Sequence, residues 1–62
     1  MSYDIVIRRK DQEVHLTYSK RGEALDAWEK MVDSTMPGET IQLWDSNRDA
    51  LMSEYRNRRV QP

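Results

Sequence analysis

The 62-residue sequence contains no cysteine, a single histidine, two glycines and two prolines. Without cysteine, the chain has no disulfide bond, no catalytic thiolate and no thiolate ligand for a soft metal. A single His15 makes a histidine-based zinc site within one chain unexpected. Two glycines are too few for a glycine-rich loop that cradles phosphate. We therefore expect no cofactor, no metal and no small-molecule substrate.

Large aliphatic residues are also scarce, because Leu, Ile and Val together occupy eleven positions. A chain of this length forms one domain with a thin core, although two Trp, three Tyr and four Met add area that can be buried. No stretch of about 18 apolar residues is present, so we expect no membrane span. The N-terminal segment lacks the apolar run of a signal peptide. The expected location is the cytoplasm.

Charge is nearly balanced over the whole chain but not along it. Ten basic and eleven acidic residues give a net charge of −1. Residues 1–21 carry +2, residues 22–39 carry −4 and residues 40–62 carry +1. The acidic middle segment is either a solvated surface or a docking surface for a basic partner.

Two strands and a helix are predicted in the first half of the chain. Residues 3–9 and 14–18 alternate apolar and polar side chains with the period of a strand. Pairing Arg9 with Val14 would place both apolar sets on one face of a hairpin. From Lys20 to Thr35 the apolar spacing becomes helical, with Ser19 as the expected N-cap.

The second half predicts another hairpin. Residues 40–44 are predicted to form the third strand and residues 50–56 the fourth, with Leu51 and Tyr55 on the same face as Ile41. The Ala, Met and Glu residues of segment 50–56 would also suit a short helix. We therefore predict the α+β class: a single small ββαββ domain over residues 1–56, in which an antiparallel sheet carries one amphipathic helix on one face. Residues 57–62 are expected to form a basic, frayed tail.

The other face of this sheet has no predicted cover, and Trp44 is expected on it. A large aromatic residue outside the core either anchors an interface or indicates that Leu43 and Trp44 exchange faces. We predict a non-enzymatic protein-binding module that uses this open face, the acidic helix or both. The candidate partner-binding residues are Val6, Arg8, His15, Gln42, Trp44 and Met52.

Two alternatives remain open. A homodimer could form through two open faces or two fourth strands. A nucleic-acid-binding module would use basic clusters, although the same charges also protect sheet edges from aggregation. Its candidate residues are Arg8, Arg9, Lys10, Arg56, Arg58 and Arg59. Catalysis is not expected, because His15 has no nucleophile placed to form a triad with it.

The stretches RGEALDAWEKMVDSTMPGE and TIQLWDSNRDALMSEYR carry one resemblance. Over about residues 20–56 the chain resembles short accessory proteins encoded by bacteriophages of actinobacteria. The resemblance implies a non-catalytic protein that binds and modulates a host protein in the host cytoplasm. It identifies no catalytic or binding residue.

Overall fold

A computed structural model describes residues 2–58, which fold in the order ββαββ. The strands are β1 (Tyr3–Arg9), β2 (Gln12–Tyr18), β3 (Thr40–Asp45) and β4 (Ala50–Arg56), and the helix is α1 (Arg21–Asp33). All neighbouring strands are antiparallel, in the order β2-β1-β3-β4. The predicted α+β class, with one antiparallel sheet and one helix, is confirmed. Strands β1 and β3 lie at the centre of the sheet.

The core lies between the sheet and α1. Ile5, Ala24, Ile41 and Leu43 are fully buried there. These residues come from the two central strands and the helix, because the centre of a small sheet is the place best shielded from water. Partly buried apolar residues complete the core: Tyr3, Ile7, Leu16, Tyr18, Ala27, Trp28, Met31, Val32, Met52 and Tyr55.

The predicted register of the first hairpin is wrong by two residues. Arg9 lies opposite Gln12 rather than Val14, because the turn contains only Lys10 and Asp11. Lys10 reaches this tight turn with a φ of 48°, in the left-handed region. A two-residue shift preserves the side-chain alternation, so the apolar face is as predicted.

A β-bulge changes the predicted faces of β4. The pairing jumps from Leu43 with Ser53 to Trp44 with Leu51, so Met52 is the extra residue. Tyr55 packs on the core as expected, but the prediction for Leu51 is wrong. Leu51 lies beside Trp44 and is 46% exposed. Met52 packs against the core instead.

The helix is shorter than predicted at both ends. Its N-cap is Lys20 rather than Ser19, because the first helical bond runs from the Ala24 N–H to the Lys20 carbonyl at 3.1 Å. At the other end, the Ser34 hydroxyl donates to the carbonyls of Lys30 and Met31 at 3.1 and 3.2 Å. The Ser34 backbone N–H donates to the same two carbonyls at 3.2 Å, so Ser34 closes the last turn of the helix.

A buried polar cluster joins the loop after α1 to the sheet. Residues 36–39 form a type II turn, with Pro37 at its second position and Gly38 at a φ of 90°. The Glu39 carboxylate accepts bonds from the Met36 N–H and from the Arg9 guanidinium, whose Nη2 lies 2.9 Å away. Asn57 donates to the Thr35 carbonyl at 3.0 Å.

Asn57 therefore belongs to the domain, one residue beyond the predicted boundary. It is buried, and its backbone exchanges hydrogen bonds with Gly38 and Glu39 at 2.9 and 3.0 Å. The remainder of the predicted tail begins at exposed Arg58, and residues 59–62 lie outside the described part of the chain.

Candidate functional site: the open sheet face

The candidate site is the sheet face opposite α1, here called the open face. Strand alternation places every second side chain of β1, β2 and β3 on it, and β4 contributes Leu51 and Glu54 from the two sides of its bulge. Nothing in residues 2–58 covers this face. At the centre of this face, Val6 of β1 lies opposite Gln42 of β3. Polar side chains of the neighbouring strands surround this pair.

Trp44 lies on the open face, as predicted. Its neighbour Leu43 is fully buried beneath α1, so the two residues do not exchange faces. The Trp44 indole N–H donates to Gln42 Oε1 at 3.1 Å. Gln42 in turn donates to Glu54 Oε2 at 2.6 Å. This chain of bonds holds the half-buried indole in a defined orientation.

Val6 and Gln42 are not free contact residues. Val6 is 5% exposed and Gln42 is 8% exposed, because they lie on the central strands under their longer cross-strand neighbours. In a partner complex they would form the base of the surface rather than its contact layer. Leu51, which the bulge turns outward beside Trp44, presents apolar area there instead of Met52.

Arg8 and His15 both lie on the open face but are not opposite each other. The shifted register places Arg8 opposite Glu13 and His15 opposite Val6. The Arg8 Nε donates to Glu13 Oε1 at 3.0 Å, and His15 Nε2 lies 3.4 Å from the same oxygen. The hydrogen bond from Arg8 lowers the pKa of Glu13 below its ordinary value, and His15 acts in the same direction.

A shallow depression of about 370 Å³ lies between Trp44 and His15. Val6 lines it, and the carboxyl-bearing residues Asp4 and Asp49 contribute to its rim. The Thr17 hydroxyl donates to Asp4 Oδ1 at 2.9 Å, which engages only one of the two Asp4 oxygens. Arg8 also lines the depression, but its guanidinium is paired with Glu13. The aromatic ring and the two carboxylates therefore suit a basic side chain with an apolar stem.

The basic residues of the nucleic-acid alternative gather at one end of the sheet. Thr40 of β3 lies between Arg8 of β1 and Arg56 of β4. Arg9 and Lys10 follow at the same end of β1, and Arg58 lines a neighbouring depression with Thr40. Arg59 lies outside the described residues.

Ion pairs offset much of this positive charge. The carboxylates of Glu13, Glu39 and Glu54 lie within 3.4 Å of the guanidinium nitrogens of three of these arginines. In the segment from residue 2 to residue 58, Lys10 and Arg58 are the members of the cluster that form no ion pair. These ion pairs therefore reduce the positive charge that this end of the sheet presents to a phosphate.

Two parts of this arrangement were not predicted from the sequence: the outward position of Leu51 and the Glu39 cluster. The Pro37-Gly38 pair followed by an acidic residue was a local signal for the cluster, since it encodes the turn that returns Glu39 toward Met36. Leu51 had no local signal, because only strand pairing reveals the bulge.

Comparison of the chain with protein-family models, curated proteins and solved structures finds no match. Within residues 2–58, no helix is long and apolar enough to cross a membrane. The same residues contain no group of three or more acidic, His or Cys side chains placed to hold a metal ion.

Proposed function

We propose that this protein is a non-enzymatic binding module that recognises a partner protein through the open face around Trp44. The observation that supports the proposal is the orientation of Trp44. Its indole is held by Gln42 at 3.1 Å, outside the core, beside the exposed Leu51. Trp is enriched among the residues that dominate binding energy at protein interfaces.

The lining of the depression beside Trp44 supports a basic side chain on the proposed partner. Asp4 and Asp49 supply carboxylates, the indole supplies an aromatic ring, and the Arg8 guanidinium is paired with Glu13. We propose that the partner inserts an Arg or Lys side chain there and covers Leu51 with an apolar group. A cation over an aromatic ring contributes on the order of 1 kcal/mol, and more when water is excluded.

The proposed partner is a host protein, and the proposed location is the host cytoplasm. These two points depend on the resemblance to phage accessory proteins noted for residues 20–56. The acidic outer surface of α1 is a second contact surface in this proposal, because it would attract the same basic partner.

The decisive experiment is affinity capture from the natural host, followed by mass spectrometry. Wild-type protein should enrich a partner that Trp44→Ala loses, while circular dichroism shows the same fold for both proteins. Glu29→Lys, on the exposed surface of α1, is the matched control for the acidic helix. A partner that Trp44→Ala retains and Glu29→Lys loses would assign binding to the helix and contradict the role of the open face.

Nucleic-acid binding is the second candidate, favoured by the basic residues gathered at one end of the sheet. Phosphate contacts would make affinity fall steeply with salt. Fluorescence anisotropy with a labelled oligonucleotide at low salt measures this directly. Binding that disappears in Arg58→Ala but not in Trp44→Ala would support this candidate over the first.

A further inference from the structure

The two edge strands of the sheet differ in how well they are protected. On β4 the bulge at Met52 interrupts the pairing, and Asn57 ties the end of the strand to the loop after α1. On β2 all seven residues pair regularly with β1, from Tyr18 to Gln12. Natural sheets usually protect edges with bulges, prolines or inward-facing charges. The sequence of β2 has no proline, and its side chains on the helix face are uncharged.

The free edge of β2 presents a regular set of backbone groups. Because a two-residue turn joins β1 and β2, Gln12 exchanges both backbone hydrogen bonds with Arg9. Alternation then directs the backbone N–H and C=O groups of Glu13, His15 and Thr17 away from β1. No strand in residues 2–58 pairs with this edge.

We propose that a second copy of this chain pairs with this edge, β2 against β2, in antiparallel orientation across a twofold axis at His15. Each outward-facing residue then meets an outward-facing residue: His15 meets His15, and Glu13 meets Thr17 of the second copy. The result is a continuous eight-stranded sheet with no free β2 edge. This inference does not depend on the proposed partner at Trp44.

The sequence of β2 is complementary to itself in this register. Glu13 does not face Glu13, so no pair of carboxylates is brought together. On the helix face, Val14 meets Leu16 of the second copy. Val14 is 48% exposed in the single chain and lines a cleft of about 270 Å³ with Met31 and Ile41. Pairing would cover this exposed apolar side chain beside the core.

A second copy also suits the size of the domain. A 62-residue chain without cysteine has neither a large core nor a disulfide to stabilise it, and association is a common remedy in small domains. In the proposed dimer both open faces lie on the same side of the extended sheet. Two Trp44 sites would therefore be available to a partner at the same time.

Sedimentation equilibrium tests the dimer with a matched pair of variants on the two edges. Val14→Lys places a charge on the β2 edge, and Leu51→Lys places one on β4 at a residue of nearly equal exposure, 46% against 48%. Wild type and Leu51→Lys should be dimers, and Val14→Lys should be a monomer with unchanged circular dichroism. A monomeric wild type at every concentration, or a dimer that only Leu51→Lys disrupts, would overturn the proposal.

Single cysteines test the position of the axis without depending on the stability of Val14→Lys. The natural chain has no thiol, so each introduced cysteine is the only one present. Hydrogen-bonded antiparallel residues have Cα atoms about 5.5 Å apart, which is within reach of a disulfide. His15→Cys should form a covalent dimer on oxidation. Glu13→Cys alone should not, but should link to Thr17→Cys in a mixture.

The control is Glu29→Cys on the exposed surface of α1. Covalent dimers should form much more slowly with this variant than with His15→Cys. Equal rates for the two variants would show random collision and contradict the dimer. Faster linkage of Glu13→Cys than of His15→Cys would place the axis elsewhere and overturn the proposed register. Neither result bears on the Trp44 site, which the capture experiment tests separately.

Discussion

The same four strands form both faces of the sheet, but the two faces differ in how deeply their apolar side chains and ion pairs are buried. Beneath α1, Ile5, Ile41 and Leu43 are fully buried, and the Arg9–Glu39 ion pair has a buried carboxylate. On the open face, the ion pairs of Arg8 and Arg56 are solvent-accessible. The comparison indicates that the covered face supplies most of the stability, which leaves the side chains of the open face available for recognition.

The largest expected effect comes from neighbouring residues on β3 that point to opposite faces. Leu43→Ala should lower the free energy of unfolding by about 2–5 kcal/mol, because it leaves a cavity in the thin core. A loss of this size approaches the total stability of a small domain. Trp44→Ala should cost clearly less, because the indole is only partly buried and lies outside the core. Urea denaturation followed by circular dichroism measures both.

Equal losses for the two variants would contradict the division between the faces. In that case Trp44 would act as a core residue, and a weaker partner interaction of Trp44→Ala would reflect unfolding. Leu51→Ala is a useful control, because it removes apolar area from the open face without touching the core.

An intermediate effect is expected at Glu39. The Met36 N–H lowers the pKa of Glu39 below its ordinary value, and Arg9 adds to this effect against the opposing cost of burial. The ionised carboxylate therefore stabilises the fold above the ordinary pKa of 4.5, and this contribution is lost as the pH falls through the lower pKa of the folded state. Glu39→Gln should cost on the order of 1 kcal/mol at neutral pH.

Thermal unfolding of wild type and Glu39→Gln at a series of pH values checks this prediction. The two curves should differ at neutral pH and converge as the pH falls from 4.5 through the lower pKa of Glu39 in the folded state, where the wild-type carboxyl group becomes protonated. A constant difference across the series would show that ionisation of Glu39 does not stabilise the fold.

The smallest effect should come from the same substitution on the open face. Glu54→Gln retains a side-chain oxygen that can accept from Gln42 but loses the charge that faces Arg56 at 3.4 Å. Solvent-exposed pairs contribute less than about 1 kcal/mol and are screened by salt. Glu54→Gln should therefore shift the urea midpoint less than Glu39→Gln, and added salt should reduce the difference further. A larger loss of stability for Glu54→Gln than for Glu39→Gln would contradict the expected difference between the two faces.

Much of the fold could be predicted from local patterns, whereas the details of the site could not. The alternation in β1 and the spacing in α1 identified the core face, and Trp44 was placed correctly outside it. The prediction for Met52 was wrong because a bulge adds one residue to β4. One extra residue moves the side chains of β4 that precede the bulge to the opposite face of the sheet. Burial of Val6 and Gln42 also depends on strand order, which no local pattern contains.

By itself, the sequence determined the element order, the apolar stripe of α1 and the chemistry that a chain without cysteine cannot perform. These follow from residue type and from periodicities of two and 3.6, which are local properties. The tertiary structure alone decided that Arg9, Glu39 and Asn57 meet, that Leu51 lies beside Trp44, and that β2 has a regular free edge. Each of these depends on pairing between distant segments, because only the folded backbone sets which residues become neighbours.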